Sequence, residues 1–168
     1  VTIENMVEHL NDIAGIRIIC SFMSDIYPIA DMIARQADIT VLHVKDYIKY
    51  PKTNGYKSYH MVVTIPVYLS EGKRDTKVEI QIRTIAMDFW ASLEHKIAYK
   101  FEGKAPDYLE RELKSCADMV DMLDMKMFSL NQAIMAVEEE ERRVEEEKSR
   151  EREKAEKRQE ELAGNGPT

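Results

Sequence analysis

The amino-acid sequence predicts an α/β fold, in which a mixed, mainly antiparallel sheet is flanked by helices and followed by a long C-terminal helix. Three patterns support this prediction. Short apolar or alternating segments bounded by turn residues are typical of strands. Segments with apolar residues three and four positions apart, typical of helices, lie between the first two strands and after the last one. From residue 109 onward, apolar residues follow an unbroken heptad spacing, which indicates one long packed helix.

The first part of the chain predicts helices and strands in alternation. A short helix over Ile3–Leu10 precedes a β-branched run over Asn11–Phe22, which is typical of a buried strand. A helix over Ser24–Ala37 and a second strand over Thr40–Val44 follow. After the first helix, this part of the chain is therefore expected to have the order strand, helix, strand.

Two further strands and a helix are predicted after a polar loop over Lys45–Lys57. Ser58–Tyr68 and Lys77–Arg83 are expected to pair as antiparallel neighbours, joined by a turn over Glu71–Asp75. The helix over Thr84–Lys100 carries apolar residues at a spacing of four, which predicts its buried face: Ile85, Phe89, Leu93 and Ile97.

The long C-terminal helix is predicted from apolar residues whose spacing alternates between four and three: Leu109, Leu113, Cys116, Val120, Leu123, Met127, Leu130, Ile134 and Val137. Residues at this spacing form an apolar stripe along one side of the helix, called the heptad seam below. Such a seam packs either on its own domain or on another chain, and the sequence leaves both possibilities open. After residue 137 the helix is charged and expected to be solvated. We therefore expect a core over residues 1–103, a long helix over 104–162 and a disordered tail over 163–168.

Composition excludes several classes of protein. The apolar fraction of 44% is that of a globular protein, and there is no apolar run of the roughly 18 residues that a membrane span needs. The two cysteines lie far apart, and no signal peptide is visible, so we expect a reduced, cytoplasmic protein. The first residue is not Met, which suggests a fragment or part of a longer protein. The net charge of −7 argues against general nucleic-acid binding, and no DNA partner is expected.

Two stretches concentrate polar chemistry. Lys52–His60 combines an Asn-Gly turn with cations, two tyrosines, a serine and a histidine. Val78–Thr84 alternates strictly, so that Glu79, Gln81 and Arg83 share one face of a strand. Lysines beside tyrosines suggest an anionic, planar ligand such as a nucleotide. A solvated loop and a solvent-facing edge strand would show similar patterns, and both alternatives remain open.

Other catalytic patterns are missing from the sequence. It contains no G-x-S-x-G, no Walker A loop, no G-x-G-x-x-G and no zinc-ligand spacing. Two acids on strands or strand ends remain, Asp12 and Glu79. Two carboxylates that converge on one edge of a sheet can hold Mg²⁺ on phosphates.

These residues resemble a known family. The motifs Asp12–Arg17, Asn54–His60 and Glu79–Thr84, followed by Phe89-Trp90 and Glu94-His95, are similar to those of the RelA/SpoT synthetase domain. The short chain and long C-terminal helix resemble the small alarmone synthetases. The resemblance covers about residues 5–100. It implies a nucleotidyltransferase-like core and a Mg²⁺-dependent GTP pyrophosphokinase, which transfers pyrophosphate from ATP to the 3′-hydroxyl of GDP or GTP to make the stringent-response alarmone (p)ppGpp.

The resemblance also implies roles for individual residues. Asp12 would ligate Mg²⁺, and Glu79 would ligate it or act as the base on the 3′-hydroxyl. Tyr56 would stack on the guanine of the acceptor, and Arg17 on the adenine of the donor ATP. Other residues would hold the acceptor nucleotide or its phosphates: Lys52, Asn54, Lys57, His60 and Gln81.

One departure from the family bears on these expectations. The family carries a basic segment before the first strand that grips the ATP phosphates, whereas nothing basic precedes Arg17 here. The donor site is therefore expected to be incomplete and the fragment weakly active or inactive. A homotetramer formed through helices is the implied assembly. The alternative function is a catalytically inactive guanine-nucleotide-binding regulatory module.

Overall fold

The computed structural model describes residues 14–101 and 105–164. Four strands and three helices follow one another in these residues, and all are labelled here in chain order: β1 (Gly15–Cys20), α1 (Met23–Ala34), β2 (Thr40–Asp46), β3 (Tyr59–Leu69), β4 (Gly72–Thr84), α2 (Ile85–Lys100) and α3 (Asp107–Gly164). The expected helix over Ile3–Leu10 lies outside the described residues. None of the described helices has a segment long and apolar enough to cross a membrane.

The sheet has the strand order β1-β4-β3-β2. β1 runs parallel to β4, and the other two pairs are antiparallel, which confirms the predicted mixed, mainly antiparallel sheet. The register places Arg17 of β1 and His60 of β3 on either side of Gln81 in β4. Side chains at paired positions lie on the same face, so these three residues share one face of the sheet.

The opposite face of the sheet forms the apolar core. Met61 and Val63 of β3 and Val78, Ile80 and Ile82 of β4 are buried there. Helix α1 covers this face with two buried side chains, Ile26 and Ala30. Alternation along β4 therefore separates an apolar face, which packs on α1, from the polar face that carries Glu79 and Gln81.

β1 differs from the buried strand that its β-branched sequence predicted. It pairs only with β4 in the described sheet, and Ile16 and Ile19 are 52% and 43% exposed. Cys20 is its one buried residue. β-branched composition predicts a strand but does not show how many neighbours the strand will have, and here the strand lies at an edge.

The predicted buried face of α2 is wrong. Ile85, Phe89 and Leu93 are 63%, 60% and 43% exposed, whereas Met87, Trp90 and Ala91 are buried. Trp90 packs with Ala91 and α3, and its indole N–H donates to the Leu113 carbonyl at 3.0 Å. A tryptophan buries more area than any residue of the predicted face and its N–H needs an acceptor, so it determines which side of the helix faces inward.

The chain divides into two compact units, Val1–Phe128 and Ser129–Thr168. Within the first unit, α3 packs through Leu113, Ala117, Val120 and Asp124, and the seam residues Leu123 and Met127 are 59% and 50% exposed. In the second unit, the seam residues Leu130, Ile134 and Val137 are 53%, 49% and 58% exposed. Packing on the chain's own domain thus accounts for only the first part of the heptad seam.

Candidate active site

A tight turn containing Asn54 and Gly55 shapes the loop before β3. The Gly55 amide donates to the Lys52 carbonyl at 2.9 Å, and the Tyr56 amide donates to Asn54 Oδ1 at 3.1 Å. Gly55 has a φ of 90°, a left-handed conformation that glycine adopts at no steric cost. The Asn54 side chain also donates to Glu94 of α2 at 3.3 Å. The predicted turn is therefore present and tied to a helix.

Glu79 lies on the polar face of β4 with both carboxylate oxygens hydrogen-bonded. Its Oε1 accepts from His60 Nδ1 at 3.0 Å, and its Oε2 accepts from Gln81 Nε2 at 2.9 Å. Burial raises the pKa of the Glu79 carboxyl, but the hydrogen bonds from Gln81 and His60, together with the positive charge of Lys45, outweigh burial, and the net pKa is lowered. The side chain is an ionised carboxylate that keeps 21% of its surface exposed.

Arg83, two positions further along β4, is a buried guanidinium that joins several elements. It is 5% exposed. Its Nε donates to Ser58 Oγ at 3.2 Å, and its Nη1 donates to Asp88 Oδ1 at 3.1 Å. Its Nη2 donates to the Tyr56 hydroxyl at 2.5 Å and to Gln81 Oε1 at 3.1 Å. A planar guanidinium holds several N–H donors in fixed directions, so a lysine could not form the same set of hydrogen bonds.

The hydrogen bonds assign the proton on His60. Because the Tyr56 oxygen accepts from Arg83, its own O–H is free to donate to His60 Nε2 at 2.8 Å. The proton of the neutral imidazole is then on Nδ1, where it donates to Glu79. Burial lowers the pKa of His60 and the Glu79 carboxylate opposes this, while the cations Arg83 and Lys52 lower the pKa further. The net result is a neutral histidine.

The ring of Tyr56 is surrounded by cations and aromatic edges. Lys52 Nζ lies 4.9 Å from the ring centroid and the Arg83 guanidinium carbon lies 5.1 Å from it. Tyr47 and His60 approach it edge-on, at centroid distances of 5.8 and 5.9 Å. Such contacts stabilise a tyrosine ring in one position, through cation–π attraction and edge-to-face packing.

A cleft of about 530 Å³ borders these residues. Its lining includes predicted site residues from three parts of the sheet region: Arg17, Lys52, Asn54, Tyr56 and Gln81. Arg17 extends from β1 and pairs with Asp88 at 3.2 Å, while 49% of its side chain remains exposed. The fold therefore brings Arg17 and four of the predicted acceptor residues to one cleft.

Of the predicted site residues, Glu79, His60 and Lys57 are not in the lining of this cleft, although Glu79 and His60 are hydrogen-bonded to Gln81 and Tyr56, which are. The ammonium group of Lys57 forms an ion pair with Asp121 of α3. Asp12 lies outside the described residues. Ala14, two positions later in the sequence, accepts a hydrogen bond from the Glu79 amide at 2.9 Å, so the chain enters the sheet directly beside Glu79.

The sequence-based list of site residues omitted several side chains that build the site: Ser58, Arg83, Asp88, Ser92 and His95. Alternation along β4 did place Arg83 on the same face as Glu79, and this was the signal that could have identified it. No pattern links Ser58 or Asp88 to Arg83, because these contacts depend on how a loop and a helix meet the strand. His95 is exposed at the cleft and was not predicted to contribute to it.

Comparisons with known proteins confirm the family resemblance found in the sequence. The sequence profile of a family described as a region found in RelA / SpoT proteins matches residues 2–104. GTP pyrophosphokinase YwaC of Bacillus subtilis (strain 168) is 49% identical over 134 residues, which are 80% of this chain and 64% of that protein. The chain thus spans slightly less than two thirds of the length of this relative.

Solved structures of two Bacillus subtilis proteins resemble the chain. Small alarmone synthetase 2 superposes with a TM-score of 0.73 at 46% identity, covering 79% of this chain and 77% of that one. Small alarmone synthetase 1, bound to its product pppGpp, gives a TM-score of 0.74 at 38% identity, covering 77% of this chain and 67% of that one. The family match extends over more than half of the sequence, and the chain belongs to the RelA/SpoT family.

Proposed function

We propose that the chain carries the catalytic domain of a GTP pyrophosphokinase, which transfers the β,γ-pyrophosphate of ATP to the 3′-hydroxyl of GDP or GTP. One observation above all supports this proposal. An ionised, partly exposed carboxylate, Glu79, is held by hydrogen bonds beside a cleft that an aromatic ring and several cations line. A group that accepts a proton, placed next to a site for an anionic aromatic ligand, is the chemistry that this transfer needs.

The acceptor nucleotide would bind against the Lys52–Tyr56 turn. The Tyr56 ring offers a stacking surface for guanine, and its hydroxyl is fixed by Arg83 and His60. Lys52, within 5.1 Å of both the Tyr47 and Tyr56 ring centroids, adds positive charge for phosphates. Asn54, His60 and Gln81 complete this half of the site. Each is a polar group whose position is fixed by hydrogen bonds to neighbouring side chains.

Glu79 would act as the base. A free lone pair on one carboxylate oxygen accepts the proton of the 3′-hydroxyl as the hydroxyl oxygen attacks the β-phosphorus of ATP. The bond between the α,β-bridging oxygen and the β-phosphorus breaks, and AMP leaves with that electron pair. Hydrogen bonds from His60 and Gln81 hold the carboxylate in a fixed position while it is charged.

The donor nucleotide would lie toward β1. Arg17 projects from that strand into the same cleft, and its pairing with Asp88 orients the guanidinium without burying it. A half-exposed guanidinium can stack on a purine ring through its planar face. This arrangement would place adenine on the side of the cleft away from the Tyr56 ring.

Glu79, on the polar face of the central strand β4, has the chemistry of a Mg²⁺ ligand. Glu79 is ionised, and each of its oxygens accepts one described hydrogen bond, which leaves lone pairs for a metal. No cluster of three or more His, Cys, Asp or Glu side chains suited to a metal occurs among the described residues. Glu79 would therefore share the ion with Asp12 and with nucleotide phosphates. Bound there, Mg²⁺ would offset phosphate charge during the transfer.

We also propose that the exposed part of the heptad seam forms a contact between copies of the chain. Leu130, Ile134 and Val137 repeat at heptad spacing in the second unit and are about half exposed. Apolar residues at this spacing are stable when a facing helix covers them. A homotetramer built through helices is the assembly that fits this surface.

The first prediction concerns Glu79. Glu79→Gln keeps the side-chain volume but cannot accept the hydroxyl proton, so transfer should fall roughly a hundredfold to ten-thousandfold, with GDP binding retained. Product formation from ATP plus GDP or GTP with Mg²⁺ measures the transfer, and Glu71→Gln at an exposed turn is the matched control. Near-normal turnover in Glu79→Gln would exclude the assigned role. Wild-type protein that binds GDP but forms no product would favour a regulatory module.

The second prediction concerns pH. The pKa of folded His60 lies below its unfolded value of 6.5, so below that pH the unfolded state binds a proton that the folded state does not. The stability that His60 contributes should be full above pH 6.5 and be lost as the pH falls. Urea unfolding at a series of pH values should give a flatter profile for His60→Gln than for wild type. His43→Gln, at an exposed histidine of β2, is the control, and identical profiles for all three proteins would contradict this assignment.

The third prediction tests the seam. Leu130→Lys places a charge in the proposed contact and should shift the protein to a smaller assembly in sedimentation velocity at the same concentration. Gln132→Lys introduces the same charge on the exposed helix surface two residues away and should leave the assembly unchanged. An unaltered sedimentation coefficient in Leu130→Lys would exclude this segment as the interface.

A further inference from the structure

The side chains of Tyr56 and Lys57 have different partners although they are neighbours. The Tyr56 hydroxyl meets His60 and Arg83 on the polar face of the sheet. The Lys57 ammonium instead reaches Asp121 of α3, and the two charged side chains are only 23% and 29% exposed. Lys57 therefore links the loop to α3 through an ion pair.

The loop backbone also rests directly on α3. A Cβ atom added to Gly55 would lie 2.5 Å from the Cβ of Ala117, a residue that is 8% exposed. Real Cβ contacts are never this short, so only glycine lets the loop lie this close to the helix, in addition to providing the positive φ. The ion pair and this backbone contact are on the same stretch of α3.

The helix itself is anchored to the catalytic strand. Asp124 accepts a hydrogen bond from Thr84 Oγ1 at 2.7 Å, and both residues are buried. Thr84 is the last residue of β4, and its hydroxyl oxygen also accepts from the Met87 amide at 3.1 Å in the first turn of α2. α3 thus contacts both the strand that carries Glu79 and the loop that carries Tyr56.

We propose that Lys57 and Asp121 are a positioning pair for the acceptor nucleotide: their ion pair holds the Tyr56 loop on α3, and Lys57 does not itself bind the nucleotide. The pair would set the location of the Tyr56 ring relative to Glu79, through a helix that is fixed to β4 at Asp124. This inference rests on the proposed function, because it assigns Tyr56 to the acceptor base.

Electrostatics supports positioning over direct phosphate binding. Asp121 and Asp124 are two acids one helical turn apart, and burial together with the charge of Asp121 raises the pKa of Asp124. Lys57 offsets that charge. If Lys57 moved to a nucleotide phosphate, it would leave a partly buried carboxylate unpaired beside a second acid, which is unfavourable.

Three single variants and one double variant separate the two roles. Lys57→Met and Asp121→Asn each remove the ion pair, and each should weaken GDP binding in calorimetry by about fivefold to tenfold, the effect of losing a partly buried charged hydrogen bond. The GDP affinity of the double variant should be no lower than that of whichever single variant binds GDP less tightly. Asp121→Glu, which keeps the carboxylate, should restore affinity. The KM for ATP should change less than about twofold in all of them, since the direct partner of Arg17 is Asp88 of α2 and not a residue of this loop.

Asp118→Asn is the matched control, because it makes the same change in an exposed pair one turn earlier on α3 and should leave GDP affinity unchanged. Weak GDP binding in Lys57→Met together with normal binding in Asp121→Asn would overturn the proposal, since Lys57 would then contact the nucleotide directly. Normal binding in both would overturn it too. GDP affinity tests the positioning pair even if the wild-type protein makes no product, an outcome that would reject the proposed function alone.

Discussion

The guanidinium of Arg83 is the group on which the site depends. From it, two series of hydrogen bonds lead to the same carboxylate. One passes through the Tyr56 hydroxyl and His60 to Oε1 of Glu79, and the other passes through Gln81 to Oε2. Every donor in both series points toward Glu79, so the arginine fixes the two groups that hydrogen-bond to this carboxylate. Such chains of hydrogen bonds polarise one another in a partly buried setting.

The free-energy cost of burying the charged Arg83 side chain explains the positions of the loop before β3 and of helix α2. A buried cation must have its donors satisfied, and Ser58 and Asp88 supply the acceptors that the sheet does not. Ser58 ends the loop and Asp88 lies in the first turn of α2, so satisfying one guanidinium fixes the loop and the helix against β4. Asp88 also pairs with Arg17, which extends the same network to the proposed donor side.

Sequence patterns predicted all four strands, because alternation and turn residues are local signals, although β4 begins at Gly72 and so includes most of the predicted turn. They identified the polar face of β4 and the Asn-Gly turn, and the family resemblance named five of the residues that line the cleft as site residues: Arg17, Lys52, Asn54, Tyr56 and Gln81. They did not show the direction of Lys57 or the inward side of α2. In both cases the deciding partner is distant in sequence: Asp121 for Lys57, and Leu113 for the indole of Trp90. Contacts of this kind follow from tertiary packing and leave no periodic signal in either segment.

The most direct test of this account is Arg83→Lys, which keeps the positive charge but removes the planar set of N–H donors. With Tyr56 and Gln81 no longer held by one group, GDP affinity and pyrophosphate transfer should both fall at least about tenfold. Arg74→Lys, at the exposed end of the same strand, should leave both unchanged. A folded Arg83→Lys protein with wild-type GDP affinity and turnover would contradict the claim that this guanidinium organises the site.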